Sequence, residues 1–258
     1  MTGQGFDRIT GEPFASRSEV IGTNGMVATS HPLATQIGLD VLKSGGNAVD
    51  AAIAANAALG LMEPTGNGIG GDLFAIVWDA KTKKLYGLNA SGPAPKSLSI
   101  EYFKENNLEK IPAYGPLPVS VPGAVDGWVK LHERFGNKKF STLFEPTIAY
   151  AIDGFPVSEL IAYYLDRSAK RFADYPNFKD VWMKNGSTPK KGEIFKNPEL
   201  AKTLGEISKT KRESFYEGQL ATTMADFIQE QGGFLSFEDL KNYQAEWVEP
   251  VSSNYRGY

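Results

Sequence analysis

The stretch from Gly45 to Asp72, GGNAVDAAIAANAALGLMEPTGNGIGGD, constrains the fold more than any other. A glycine pair leads into an alanine-packed segment with almost no polar face. Such a helix has to be covered on several sides, and its alanines let neighbouring backbones approach closely. Asn47 sits where a helix N-cap belongs, with Asp50 three residues on as in a capping box, so the carboxylate meets the positive helix end. Asn56 is the one polar interruption, read as a hydrogen-bonded amide in the core. Glu63-Pro64 closes the helix, and the glycine-rich run from Gly66 to Gly71 hands the chain to an apolar strand.

That glycine run satisfies G-x-G-x-x-G. A dinucleotide fingerprint needs a strand before it and a helix after it, so that the pyrophosphate meets the helix N-terminus. Here the order is reversed, which argues against a nucleotide loop. The alternative is a structural turn that supports a site, with close backbone packing and left-handed residues as the reason for glycine.

Around this centre the chain reads as α+β. Gly25 to Ser30 is short, apolar and β-prone, and reads as a buried strand. Ser30 caps the next helix with Pro32 in its first turn, and Leu33, Ile37, Val41 and Leu42 recur at helical spacing. Leu73–Asp79 and Leu85–Ala90 form a hairpin, and Ser91 to Pro95 leaves it as a rigid loop. The rest is helix-rich, over Ala124–Phe135, Thr142–Ile152, Val157–Ala169, Pro198–Leu204 and Leu220–Gln231. Residues 172–195 read as a surface excursion, and Ser236 to Asp239 as a second capping box. Residues 1–20 read as a surface arm, and Glu249 to Tyr258 as a strand just beginning. A strand edge left open there suggests a longer polypeptide.

Composition excludes several functions. The 258 residues carry a net charge of −3, with no basic excess to neutralise phosphates, so nucleic acid is not an expected partner. There is no cysteine, hence no disulfide, thiolate metal site or cysteine nucleophile. With only His31 and His132, a histidine-rich metal site is not expected. His31, at a strand-to-helix junction, reads as a capping histidine, and His132 as a solvated one on an amphipathic helix. The carboxylate pairs Glu101/Glu105 and Glu238/Asp239 read as surface charge. No cofactor or metal is implied. The N-terminus lacks the apolar core of a secretory signal, and Ala51 to Met62 is too short to span a bilayer, so the expected location is cytoplasmic, without a membrane partner. Residue chemistry alone yields no self-contained catalytic set.

An ordered series of motifs resembles the γ-glutamyltranspeptidase family of N-terminal nucleophile hydrolases. It comprises Gly45 to Ala52, Glu63-Pro64, Gly68 to Gly71, Ala94-Pro95, Val121 to Gly123, Glu145-Pro146 with Ile148-Ala149, Gly154 to Val157, and Tyr255 to Tyr258. The resemblance implies an αββα sandwich, of which this chain is most of the large-subunit portion, as a single domain over 1–258. It further implies a precursor that cleaves itself before a threonine beyond Tyr258. That threonine would attack a γ-glutamyl or related amide and pass an acyl group to water or an amine. The partners implied are a small-molecule amide substrate and a small subunit from the same precursor.

One departure bears on substrate. Where transpeptidases carry an arginine that clamps the α-carboxylate of the γ-glutamyl group, this chain has Ser91, in the run Asn89 to Pro95. The resemblance is thus to the branch that includes cephalosporin-acylase-like amidohydrolases. Ser91 and Asn89 are the expected substrate-contacting residues. The competing expectations are an inactive truncated paralogue acting as a scaffold, and an NAD-binding protein.

Overall fold

A computed structural model of the chain describes residues 20–257. The expected surface arm at 1–20 therefore lies, but for its last residue, outside the described residues.

The first two helices, α1 (Pro32–Lys43) and α2 (Ala48–Met62), pack against each other as the centre of the core. In α2, Ala51, Ile53, Ala54, Ala57, Ala58, Leu61 and Met62 are all buried, as its composition requires. Asn47 and Asp50 form the expected capping box. Asp50, fully buried, also accepts from the backbone N–H groups of Asn137 at 3.1 Å and Lys138 at 3.1 Å. A buried carboxylate is tolerable only with its lone pairs satisfied, and here backbone donors do so. These bonds fasten the start of α2 to the loop that follows a later helix.

The hairpin forms as read: β1 (Leu73–Asp79) and β2 (Lys84–Ala90) pair antiparallel. After the short α3 (Ile100–Glu105), helix α4 (Ala124–Phe135) lies across the inner face of the hairpin and against α2. Trp128 of α4 is buried and donates its indole N–H to Asn56 Oδ1 at 2.8 Å, so the one polar residue in the body of α2 is hydrogen-bonded as expected, though half-buried at the side of the core rather than inside it. A buried aromatic of this size contributes about 3–5 kcal/mol relative to alanine.

The remaining helices build outward from this centre. A 3₁₀ turn over Phe140–Leu143 precedes α5 (Glu145–Asp153), and a two-residue strand, β3 (Phe155–Pro156), follows. The expected single helix over 142–152 is thus divided, because Pro146 lacks an N–H and starts a helix rather than extending one. After α6 (Glu159–Phe172) and α7 (Phe178–Trp182), β4 (Ile194–Phe195) pairs with β3. Residues 172–195 are more than an excursion, since the Trp182 ring stacks on Phe195 at 5.2 Å. Then come α8 (Pro198–Thr210), α9 (Glu213–Tyr216), α10 (Gln219–Glu230), α11 (Phe237–Lys241) and β5 (Glu246–Val248), which pairs with β2.

Two expectations about the sheet need correction. Gly25 to Ser30 is not a buried strand: Met26 is 54% exposed, and a groove lined by Met26, Val27, Thr29, Leu73 and Ala75 leaves this segment without a ladder partner. The last strand is β5 at Glu246–Val248 and not the segment after Glu249, because Pro250 has no N–H to continue the ladder. The described residues hold a three-stranded sheet ordered β1-β2-β5 and a separate two-stranded one. One face of the larger sheet carries α4. The other exposes Phe74, Ile76, Trp78, Leu85 and Val248.

His31 is the N-cap of α1 in place of Ser30, its Nδ1 accepting from Leu33 N–H at 3.3 Å. The Ser30 hydroxyl bonds instead to Glu63. His31 is buried with its ring edge-on to Phe155, and burial holds its pKa below 6.5 against the opposing pull of Glu63. The unfolded chain then binds a proton that the folded chain does not. Stability is therefore expected to fall as pH drops below 6.5, by at most about 1.4 kcal/mol per pH unit from this group. Urea midpoints of the full-length protein between neutral pH and the acid side of that value check this, with His31→Asn, which keeps a cap, flattening the dependence. His132 is not solvated as expected: it is half-buried, its Nε2 paired with Lys138 O at 2.7 Å and its ring against Phe140.

Candidate functional site

Three backbone segments meet where the hairpin ends. The first is the glycine turn between α2 and β1. The Gly71 carbonyl accepts from both Gly123 N–H and Ala124 N–H at 3.0 Å, so the open amides of the α4 N-terminus hold it in place. The second is the exit from β2, Ala90 to Pro93. The third is Val121 to Gly123, whose Val121 N–H donates to Pro93 O at 3.0 Å. The approach is close enough that a Cβ on Gly92 would lie 1.6 Å from Val121 O, and one on Gly123 would lie 1.9 Å from Ala90 O. These two glycines are required by packing.

Ser91 and Asn89 come together in this cradle. Asn89 Oδ1 accepts from Ser91 N–H at 2.9 Å, closing a local turn that aims the exit. Ser91 is half-buried, and its hydroxyl donates to Asp72 Oδ2 at 3.3 Å while Gly92 N–H donates to Asp72 Oδ1 at 3.4 Å. Asp72 was missed in the sequence. Its signal was a carboxylate directly after the glycine run, at the start of a strand. Asn89 also pairs in register with Phe74 and Glu246, so it sits at one end of the exposed sheet face.

The glycine turn departs from the reading of its sequence. None of Gly66, Gly68, Gly70 and Gly71 has a positive φ, and a Cβ on Gly68 or Gly70 would meet nothing within 4 Å. Neither strain nor close packing accounts for them. What they do is leave a recess of about 400 Å³ open, lined by Gly66, Asn67, Gly68, Gly70, Gly71 and Asp72. No nucleotide loop is formed, since the helix precedes the turn and the strand follows it.

A network behind the cradle holds it. Asp126, fully buried in the first turn of α4, is paired with Arg212 Nε at 3.1 Å and accepts from Ala245 N–H at 2.6 Å. Arg212 also donates to Tyr243 O at 2.7 Å. The Tyr216 hydroxyl donates to Pro122 O at 2.7 Å and accepts from Asp126 N–H at 3.1 Å, and burial pushes its ionisation far up. Asp239 corrects another expectation. It is buried rather than solvated, capping α11 and accepting from Lys96 N–H at 3.1 Å, which ties the exit loop to α11. Burial works against its ionised form, but the bonds from Ser236 and Lys96 outweigh that and hold its pKa below the usual carboxylate value. Glu101 and Glu105 are exposed, as read.

The family model described as gamma-glutamyltranspeptidase matches residues 34–258. The chain belongs to the γ-glutamyltranspeptidase family. It is 37% identical to the glutathione hydrolase-like YwrD proenzyme of Bacillus subtilis over 93% of this chain and 45% of that one. It is also 37% identical to a glutathione hydrolase proenzyme of the same organism, over 92% of this chain and 41% of that one. Its fold matches a cephalosporin acylase from Bacillus halodurans with TM-score 0.90 and 45% identity, over 98% of this chain and 48% of that one. A Helicobacter pylori γ-glutamyltranspeptidase matches with TM-score 0.88 and 35% identity, over 93% of this chain and 70% of that one. The chain thus spans less than half the length of these two curated relatives. As a family member it has the helix-rich α+β character expected, and no helix among the described residues is long and apolar enough to cross a membrane.

Proposed function

We propose that this chain is the large-subunit portion, folded as one domain, of an autoprocessed amidohydrolase or γ-glutamyl transferase. The nucleophile is the N-terminal threonine of a small subunit released from the same precursor, beyond Tyr258. Its hydroxyl attacks the substrate amide while its own amine takes the proton; the C–N bond then breaks, the departing amine receives that proton, and the acyl group left on the threonine passes to water or an acceptor amine. The family match over residues 34–258 carries this reading. A continuous core running from Ala34 to Ala245 supports a single domain.

Two features support a partner layer. The face of the β1-β2-β5 sheet away from α4 is apolar and open, as the inner face of an αββα sandwich is before the second sheet covers it. The free edge of β1 borders the groove facing Met26 to Thr29, a place for an added strand. The small subunit would cover both. The substrate is a small-molecule amide, and the net charge of −3 gives no reason to expect nucleic acid.

Within the family we assign the chain to the branch that includes cephalosporin-acylase-like members. Ser91 holds the position of the carboxylate-binding arginine, and identity to the Bacillus halodurans acylase exceeds that to the Helicobacter pylori transpeptidase. Ser91 and Asn89 then shape the acyl pocket. In the full-length protein, Ser91→Arg is expected to raise kcat/KM for γ-glutamyl p-nitroanilide relative to hexanoyl p-nitroanilide about tenfold or more, the worth of a charge-assisted bond. An unchanged ratio would mean that position 91 does not read the acyl group.

A further inference from the structure

Resting on that reading, we propose that Asp72 is a specificity-determining residue that turns the acyl pocket toward donors with a cationic end and away from donors with a carboxylate. The position that would carry an arginine carries Ser91, and its hydroxyl is bound to the Asp72 carboxylate. The charge at the hairpin exit is therefore of opposite sign to a carboxylate clamp.

Three further observations point the same way. The recess beside Asp72 lies at the C-terminal end of the fifteen-residue helix α2, which has no basic residue in its last turn. A helix C-terminus carries partial negative charge and favours a cation. Glu63, the C-cap of α2, approaches the same turn, its Oε1 lying 4.0 Å from where a Cβ on Gly66 would be. Among the described residues neither Asp72 nor Glu63 is in an ion pair.

The third observation is an orphaned hydroxyl. Tyr243 is 6% exposed, and its Oη has no hydrogen-bond partner among the described residues. It points at the Gly71–Gly123 junction, 2.5 Å from where a Cβ on Gly123 would lie. Burial and the nearby carboxylates Asp126, Asp72 and Glu246 push its pKa up to about 12. The hydroxyl thus stays protonated at the junction that holds Gly71, a lining residue of the recess, and the recess itself is space that no described residue fills. Asp72 is exposed and lines the recess, so the carboxylate can meet an acyl chain entering there while its bonds to Ser91 and Gly92 fix its direction.

The test uses the full-length protein and three p-nitroanilides of one chain length, 6-aminohexanoyl, hexanoyl and adipoyl. Wild type is expected to prefer the 6-aminohexanoyl to the adipoyl donor in kcat/KM. Asp72→Asn, which keeps the size and the acceptor oxygen, is expected to shrink that preference about tenfold, as for one unit charge near a partly exposed site. Raising the ionic strength is expected to shrink it in wild type and not in Asp72→Asn. The salt arm tests the proposal even if the variant fails to mature. Hydrolysis of the donors with no preference, or with the adipoyl donor favoured, overturns the assignment to Asp72 and leaves the amidohydrolase reading standing. A matured protein that cleaves none of the three overturns both.

Discussion

Replacing Arg212 with methionine is expected to destabilise the full-length protein by about 3–5 kcal/mol, measured as a loss in urea unfolding free energy. The reason is the partner left behind. Asp126 is fully buried in the first turn of α4, and without Arg212 its carboxylate keeps only the Ala245 N–H bond at 2.6 Å. An uncompensated charge in such a place costs far more than the pair contributes when intact. The damage should also reach the site, because Arg212 holds Tyr243 O and α4 holds the Gly71 carbonyl. The double variant Asp126→Leu with Arg212→Met is expected to be less destabilised than the sum of the two single changes. Strict additivity would show that the pair is not the reason.

Gly92→Ala is expected to cost stability at or above the upper end of about 1–3 kcal/mol, the range for overpacking. Its Cβ would fall 1.6 Å from a backbone carbonyl, Val121 O, which cannot swing away as a side chain could. The exit strand must then shift, losing the Val121 to Pro93 bond and the Gly92 bond to Asp72. Gly68→Ala is the matched control, since the added methyl meets nothing within 4 Å and the backbone has no positive φ. Thermal melts of the two variants should differ by several degrees. Equal melts would mean that the approach at Gly92 is looser than described.

The contrast between these glycines shows what a sequence can and cannot disclose. Periodicity found α1 and α4, the unbroken alanine-rich run between its cap and Glu63-Pro64 found α2, and the Asn47 box and the Asn56 amide followed from residue types alone, because each is satisfied within a few residues or by one neighbour. The glycine run from Gly66 to Gly71 was conspicuous, yet its purpose was misread. A sequence does not say whether a missing side chain serves the backbone, a neighbour or an empty recess. Asp72 and Asp126 were equally hidden, as one of them and surface charge look the same until the partner arrives from far along the chain; Asp126 meets Ala245 across 119 positions. Asp239 was legible as the partner of Ser236 in a capping box, and only its burial and its bond to Lys96 were not. The expected strand at Gly25 to Ser30 failed for the complementary reason. Its residues suit a ladder, but the described residues offer it no partner.

Ser91 and Asn89 stand differently. They were picked out through the family resemblance, and the structure adds a neighbour to them in Asp72. The arrangement of helix, glycine turn and hairpin exit gives the proposed acyl pocket a wall that this chain supplies, and the chemistry would come from the subunit that completes it.

The most direct test is to express the full-length precursor and follow it by denaturing gel and N-terminal sequencing. Two polypeptides are predicted, the smaller beginning with threonine, and replacing that threonine with alanine should leave one uncleaved chain without amidase activity. A single uncleaved wild-type chain, or amidase activity without a free N-terminal threonine, would contradict the account.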